Sequence, residues 1–281
     1  MIGGSLLNCI APSHNDRLTI NRYHTRQTMQ QPEIALAAQF LIERRNNPTI
    51  TNRLAPELRP TTTEDALAIQ KVIMEKMGDK VGGWKCVLPA ADKLNVAPIF
   101  AKTIYDKSPC LVKLDNGVCS IEPELAFRFK QDLPPRDAVY SDAEIKAALA
   151  GSHLALELIE KRYNGTEEVG YLENLADCLF NQGMYLGPEV SLENAIAASE
   201  LDFILTQGEA RSFKGSHPNN APILPVFWLV NFLRQAGIGI KAGQVVITGS
   251  FAGVHEVTPG IEFSMDYIGL GTMRVLLNAS T

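Results

Sequence analysis

Apolar positions along the chain follow two different spacings, and the change between them falls near residue 80. Over "QQPEIALAAQFLIERRNN", Ile34, Ala37 and Leu41 fall on one stripe with Phe40 beside them. That is helical spacing, and Pro32 suits a first turn. A Pro- and Thr-rich link, "NPTITNRLAPELRPTT", leads to "TTEDALAIQKVIMEKMG". There Ala66, Ile69, Val72, Ile73 and Met77 make a second helical stripe. Thr63 is the expected N-cap, acidic residues occupy the first turn, and Gly78 fits just past the end.

From residue 81 short strands predominate, rich in Val, Ile, Leu and Phe and separated by Gly and Pro turns: "VGGWKCVL", "CLVKL", "SIEPELAFRFK", "HLALELIE", "LDFILTQGEA", "QVVITGS" and "GIEFSMDYIGLGTMRVLL". Helices interrupt them. "SDAEIKAALAG" carries a capping box in Ser141 and Glu144. "PVFWLVNFLRQAG" is apolar nearly all round and is expected to be buried. Helices do not alternate regularly with strands, so the pattern predicts an α+β fold with a curled mixed sheet, not a doubly wound one. Residues 1–28 show neither spacing and lack the apolar run of a secretory signal, so a loose tail is expected there, with Met29 as an alternative start. The expected organisation is this tail, a helical region over 29–80, and a catalytic domain over 81–281.

Composition narrows the function classes. The chain has 281 residues, 46% hydrophobic and 20% charged, enough for a substantial core. Its net charge of −5 is spread without long like-sign runs, which argues against a nucleic-acid or membrane-surface footprint. No apolar stretch reaches the roughly 18 residues of a membrane span. The five cysteines, Cys9, Cys86, Cys110, Cys119 and Cys178, form no CxxC pair and read as reduced thiols of a cytoplasmic protein.

The candidate chemistry lies in carboxylates. In a strand, Glu122, Glu124, Ala126, Arg128 and Lys130 share one face, opposite Ile121, Pro123, Leu125, Phe127 and Phe129. Alternation alone favours a solvated polar face, although Pro123 suits a strand edge, start or bulge. Glu157 in "GSHLALELIE" lies in a strand apolar on both sides. It needs a cation: Lys161 or Arg162, or an ion shared with Glu122 and Glu124. An all-oxygen set suits Mg²⁺ or Mn²⁺ over zinc. Lys85, among apolar neighbours, either snorkels to the surface or holds a partly desolvated ammonium toward a site. If Lys85 points inward, Cys86 points away. Ser250 lies in the strand-end turn "TGSFAG", which is an ordinary turn or an anion cradle. His153, His217 and His255 read as plain histidines, His217 on a loop.

In order, "DALAIQ", "GWKC", "IEPELAF", "ALELIEKRY", "LADCLFNQGMYLG", "VVITGSFAG" and "VTPG" give the chain, from about residue 42 to its end, a resemblance to a known family. It resembles the 2-oxopent-4-enoate hydratase and 4-oxalocrotonate decarboxylase family of the fumarylacetoacetate hydrolase superfamily. The resemblance implies a β-roll catalytic domain, metal ligation by Glu122, Glu124 and Glu157, and Lys85 as the catalytic lysine. It implies substrate binding by Ser250 with Gly249 and Leu88, and matches the acid and arginine after the third glutamate to Glu160 and Arg162. It further implies a homo-oligomer and a role in aromatic compound catabolism. Four positions depart from the pattern: Ile99 stands where hydratases often carry an aspartate, Ala101 where glycine is usual, Cys178 where asparagine is common, and Ile261 in place of the "PGD" aspartate. The expected function is a Mg²⁺- or Mn²⁺-dependent lyase acting on a small unsaturated 2-oxo acid. The alternatives are an acylpyruvate-type C–C hydrolase, ranked lower because no early Glu-His pair is found, and a catalytically silent metal- and oxo-acid-binding relative.

Overall fold

The computed structural model describes residues 28–47, 49–91, 93–163, 165 and 167–280. The expected tail, with Cys9, lies outside the described residues but for Thr28. Two helices come first, α1 (Gln31–Asn46) and α2 (Thr63–Lys76). Strands β1 (Val81–Cys86), β2 (Val96–Phe100), β3 (Ile104–Tyr105), β4 (Cys110–Val112) and β5 (Cys119–Phe129) follow. Helix α3 (Asp142–Ala148) leads into β6 (Leu149–Ile159), and α4 (Tyr171–Ala176) into β7 (Asn181–Val190). Then come α5 (Leu192–Ala197), β8 (Glu200–Gln207), β9 (Glu209–Ser216) and α6 (Ile223–Gln235). The chain closes with β10 (Val245–Ile247), β11 (His255–Val257), β12 (Phe263–Tyr267), β13 (Gly271–Val275) and β14 (Leu277–Ala279).

The main sheet runs β2-β1-β10-β5-β6-β7-β3, and β11 also pairs with β5. It is mixed, with β1 parallel to β10 and β5 antiparallel to β6. A second sheet runs β13-β12-β8-β9. Alternation on β5 and β6 sorts the side chains between two sides. Leu125, Phe127, Leu154 and Leu156 join Phe203, Leu205, Met265 and Tyr267 of the second sheet, and Val226, Leu229 and Leu233 of α6, in the principal core. Full burial of each such side chain stabilises the fold by roughly 1.5–3 kcal/mol. Ala126 and Ala155 turn the other way and pack with Ile99, Met184, Leu186, Val245 and Ile247 into a small separate core inside the curl. Helices α1 and α2 share a third core with Leu175, Ala176, Cys178 and Leu179, just before β7.

Several sequence expectations shift. Thr62, not Thr63, caps α2, its side chain accepting from the Asp65 N–H, and Asp65 completes the capping box. The Ser141–Glu144 box of α3 is present as expected. Helix α6 is buried on one side only: Leu224 is 41% exposed, and Phe227, Trp228 and Phe232 are half-buried. The solvated face expected for β5 is absent, because Leu125 and Phe127 enter the principal core on one side of the sheet and Ala126 enters the small core inside the curl on the other. The run from Gly260 to Leu277 is not one strand but a hairpin, β12 and β13, turned at Gly269.

Candidate metal centre

Register brings the carboxylates together. Glu122 pairs directly with Glu157 across β5 and β6, and Glu124 with Ala155. One oxygen from each of Glu122, Glu124 and Glu157 lies within 4.8 Å of the others. Glu124 and Glu157 are buried and Glu122 is partly so. Pro123 sits where β5 lacks a second partner, since β11 covers only 119–121 and β10 only 126–128. Its missing N–H therefore costs little there. The turn after β10 fills this gap: the Gly249 N–H donates to Glu124 Oε2 at 2.6 Å and the Phe251 N–H to the Pro123 carbonyl at 3.3 Å.

Lys85 Nζ donates to Glu157 Oε1 at 2.6 Å and to the Leu179 carbonyl at 3.1 Å. Glu157 thus pairs with neither Lys161 nor Arg162; Lys161 meets Asp115, and Arg162 meets Glu160 and Asp177. Asn181 Nδ2 adds a bond to Glu157 Oε1 at 2.8 Å, whereas the buried Oε2 has no hydrogen-bond partner among the described residues. The electrostatics follow from crowding. Burial, then the charge of Glu157, raises Glu122 to about 7, against the pull of Lys85. Burial and then Glu157 and Glu122 raise Glu124 well above the ordinary carboxylate range. Burial alone would lower Lys85, but Glu157 outweighs it and the ammonium is stabilised.

A divalent cation fits this donor set. Three carboxylates and one ammonium carry a formal charge of −2, and a buried carboxylate oxygen without a partner faces a costly desolvation unless a cation meets it. All-oxygen ligands suit a hard ion.

The remaining sequence candidates divide. Leu88 donates its N–H to Asn219 Oδ1 at 3.0 Å. The N–H of Gly249 is committed to Glu124, and the Ser250 hydroxyl bonds the Gly253 carbonyl at 3.2 Å, so the turn braces a glutamate instead of holding free donors outward. His217 is not a free loop side chain. It is buried, its Nε2 lies 2.9 Å from the Thr248 carbonyl, and its Nδ1 accepts the Asn219 N–H at 3.2 Å. Burial lowers it to about 4, so it stays neutral and braces the Gly249 turn. Cys86 points away from the site, its Sγ 3.6 Å from the Pro225 carbonyl. Burial raises the Cys178 thiol, which leaves it unreactive. Ile99, fully buried, lies in the apolar packing with Ala126 and Ala155, while Ile261 is 53% exposed.

Sequence reasoning missed Asn181 and the corner before it. Cys178, Leu179 and Phe180 are three consecutive non-glycine residues with φ of 62°, 52° and 63°. Each such residue costs roughly 1–3 kcal/mol and persists only where surroundings enforce it. Arginines enforce this one. Arg45 Nη1 donates to the Asn181 carbonyl at 3.0 Å, as does Arg162, and Arg44 Nη2 meets Asp177 Oδ2 at 2.7 Å.

A curled mixed sheet thus holds the three glutamates on its inner side. In sequence the chain is similar to hydratases of 2-hydroxydienoates and 2-keto-4-pentenoate, and in fold to 4-oxalocrotonate decarboxylase. It is 29% identical over 231 residues to 2-hydroxyhexa-2,4-dienoate hydratase of Comamonas testosteroni, covering 76% of this chain and 86% of that one. It is 24% identical over 222 residues to 2-keto-4-pentenoate hydratase of Paraburkholderia phymatum, covering 74% and 84%. Its fold matches 4-oxalocrotonate decarboxylase of Pseudomonas putida G7, in a structure complexed with magnesium and adipate, with a TM-score of 0.68 and 21% identity over 89% of this chain and 99% of that one. No family model matches the chain. Among the described residues no helix is long and apolar enough to cross a membrane.

Proposed function

We propose that the chain is a divalent-metal-dependent lyase acting on a small unsaturated 2-oxo acid, as a hydratase or a decarboxylase. One observation carries the reading: Glu122, Glu124 and Glu157 meet around an unpartnered buried oxygen, with the Lys85 ammonium on Glu157. The three glutamates would hold Mg²⁺ or Mn²⁺, which when bound supplies Lewis-acid stabilisation of charge on a 2-oxo group. Two donor positions of Lys85 are used by Glu157 and the Leu179 carbonyl, and an ammonium has three. The third is free to donate to a substrate oxygen where negative charge develops. Gly249 holds Glu124 in place, and Leu88 and Ser250 would border the substrate.

Ile99 favours decarboxylation within this reading. It puts an alkyl group where the resemblance places an aspartate, packed with Ala126, Ala155 and Met184. Adding water needs a group to activate it; releasing CO₂ from a vinylogous carboxylate does not. Turnover of 2-hydroxypenta-2,4-dienoate and of 4-oxalocrotonate, each with Mg²⁺ and with EDTA, tests both levels. Metal-dependent loss of 4-oxalocrotonate is the expected result. Metal-dependent hydration alone overturns the preference for decarboxylation, and no turnover of either substrate overturns the lyase reading. The partly exposed apolar side of α6 supports a homo-oligomer, to be checked by light scattering.

A further inference from the structure

The structure assigns Asn181 as a positioning residue that fixes the orientation of the Glu157 carboxylate, so that one oxygen is held by protein donors and the other is presented to the metal ion. The inference rests on the three-glutamate metal reading above and adds to it a residue outside the ligand set. Glu157 Oε1 accepts two donors, Lys85 Nζ at 2.6 Å and Asn181 Nδ2 at 2.8 Å, and Oε2 accepts none among the described residues. The plane of a carboxylate turns about the last side-chain torsion, which is a soft one. A lysine alone does not hold that plane, because its ammonium sits on a flexible stem and presents three equivalent donors. A planar amide anchored at fixed backbone does.

The backbone of Asn181 is fixed on every side. It opens β7 and pairs with Ile159, two residues beyond Glu157 on the neighbouring strand. Its N–H donates to the Cys178 carbonyl at 3.1 Å, which closes the left-handed corner of Cys178, Leu179 and Phe180. Its carbonyl accepts from both Arg45 and Arg162. The side-chain amide is equally constrained. Nδ2 donates its second hydrogen to the Gly183 carbonyl at 3.2 Å, so both hydrogens have acceptors and the flipped amide would place an oxygen against Glu157 Oε1. The same corner aims the Leu179 carbonyl at Lys85. One strained turn therefore holds both donors of Glu157, pins Oε1 to them and leaves Oε2 for the ion.

The test is calorimetric titration of Mg²⁺ into the full chain, with melting temperature in EDTA and steady-state kinetics on the same samples. Asn181→Leu keeps the volume and removes the donor. The expected result is a Kd for Mg²⁺ weakened about 10–100-fold, the range for partners of metal ligands, with most of kcat recovered at saturating Mg²⁺. A purely structural role would lower the melting temperature in EDTA and leave the Mg²⁺ affinity of the folded protein unchanged; that result overturns the inference. Should Asn181→Leu fail to fold, Asn181→Ser also lacks the reach to Glu157, and wild-type affinity in that variant overturns the inference equally. A wild-type chain that binds no Mg²⁺ overturns the metal reading itself, which is a different outcome from equal affinity in wild type and variant.

Discussion

At the residue scale the centre is a set of like charges held closer than they would choose without a cation. Burial and mutual repulsion raise both Glu122 and Glu124, so each carboxylate destabilises the metal-free chain once ionised. Glu124→Gln should therefore separate affinity from folding. We expect Mg²⁺ affinity to fall at least tenfold, and the melting temperature in EDTA at pH 8 to stay the same or rise. A fall in melting temperature with unchanged affinity would show that Glu124 is structural. Lys85→Met should lower kcat about 10²–10³-fold, as removal of a charge-stabilising donor does, with metal still bound by calorimetry; a near-normal kcat would remove its role. These glutamates were legible through the family resemblance and not through alternation. Alternation along β5 points to a polar face, because a single strand does not show that Glu157 will lie directly opposite Glu122. His217 was misread for the same reason: polar loop residues around it concealed its burial against Thr248.

At the element scale the site depends on a gap in strand pairing. β10 and β11 leave the middle of β5 open, Pro123 occupies the opening, and Gly249 enters it to reach Glu124. Gly249 has a φ of 112°, and a Cβ there would lie 2.7 Å from Val87 Cγ1 and 2.8 Å from Pro218 Cγ. Gly249→Ala should cost roughly 1–3 kcal/mol from backbone strain alone, with a further loss from crowding, read as a lower urea midpoint. Mg²⁺ affinity should fall with it, since the N–H on Glu124 moves; an unfolding free energy within a few tenths of a kcal/mol of wild type would refute the packing argument. Sequence patterning found α1, α2, α3 and the strands of the catalytic sheet with strong alternation. It missed β7, where "LADCLFNQGMYLG" shows no period of two and no glycine marks the left-handed corner. Tertiary contacts from α1 and Arg162 hold that corner, and local propensity carries no trace of them.

At the scale of the whole molecule, buried charge ties the amino-terminal helices to the carboxylate cluster. Arg44 is 1% exposed, pairs with Asp177, and stacks over Tyr163 at 3.8 Å. Arg44→Ala leaves part of a buried carboxylate unmatched, and the expected loss is toward the lower end of roughly 3–5 kcal/mol because Arg162 remains beside Asp177. Stability should also depend on pH through the metal centre. A carboxyl raised from 4.5 to about 7 makes the folded state bind more protons than the unfolded one across that interval. Stability of the metal-free chain then falls as pH rises through it. The buried histidines act oppositely, since burial lowers His217, His153 and His255 and their contribution is gained as pH rises toward 6.5. Comparison at equal pH cancels them. The difference in melting temperature between Mg²⁺ and EDTA samples should widen from pH 6 to pH 8, because the ion displaces protons that hold the glutamates neutral at the lower pH. A difference that is constant over this range would mean that the carboxylates do not change protonation when metal binds, and that the crowding around Glu157 is relieved in some other way.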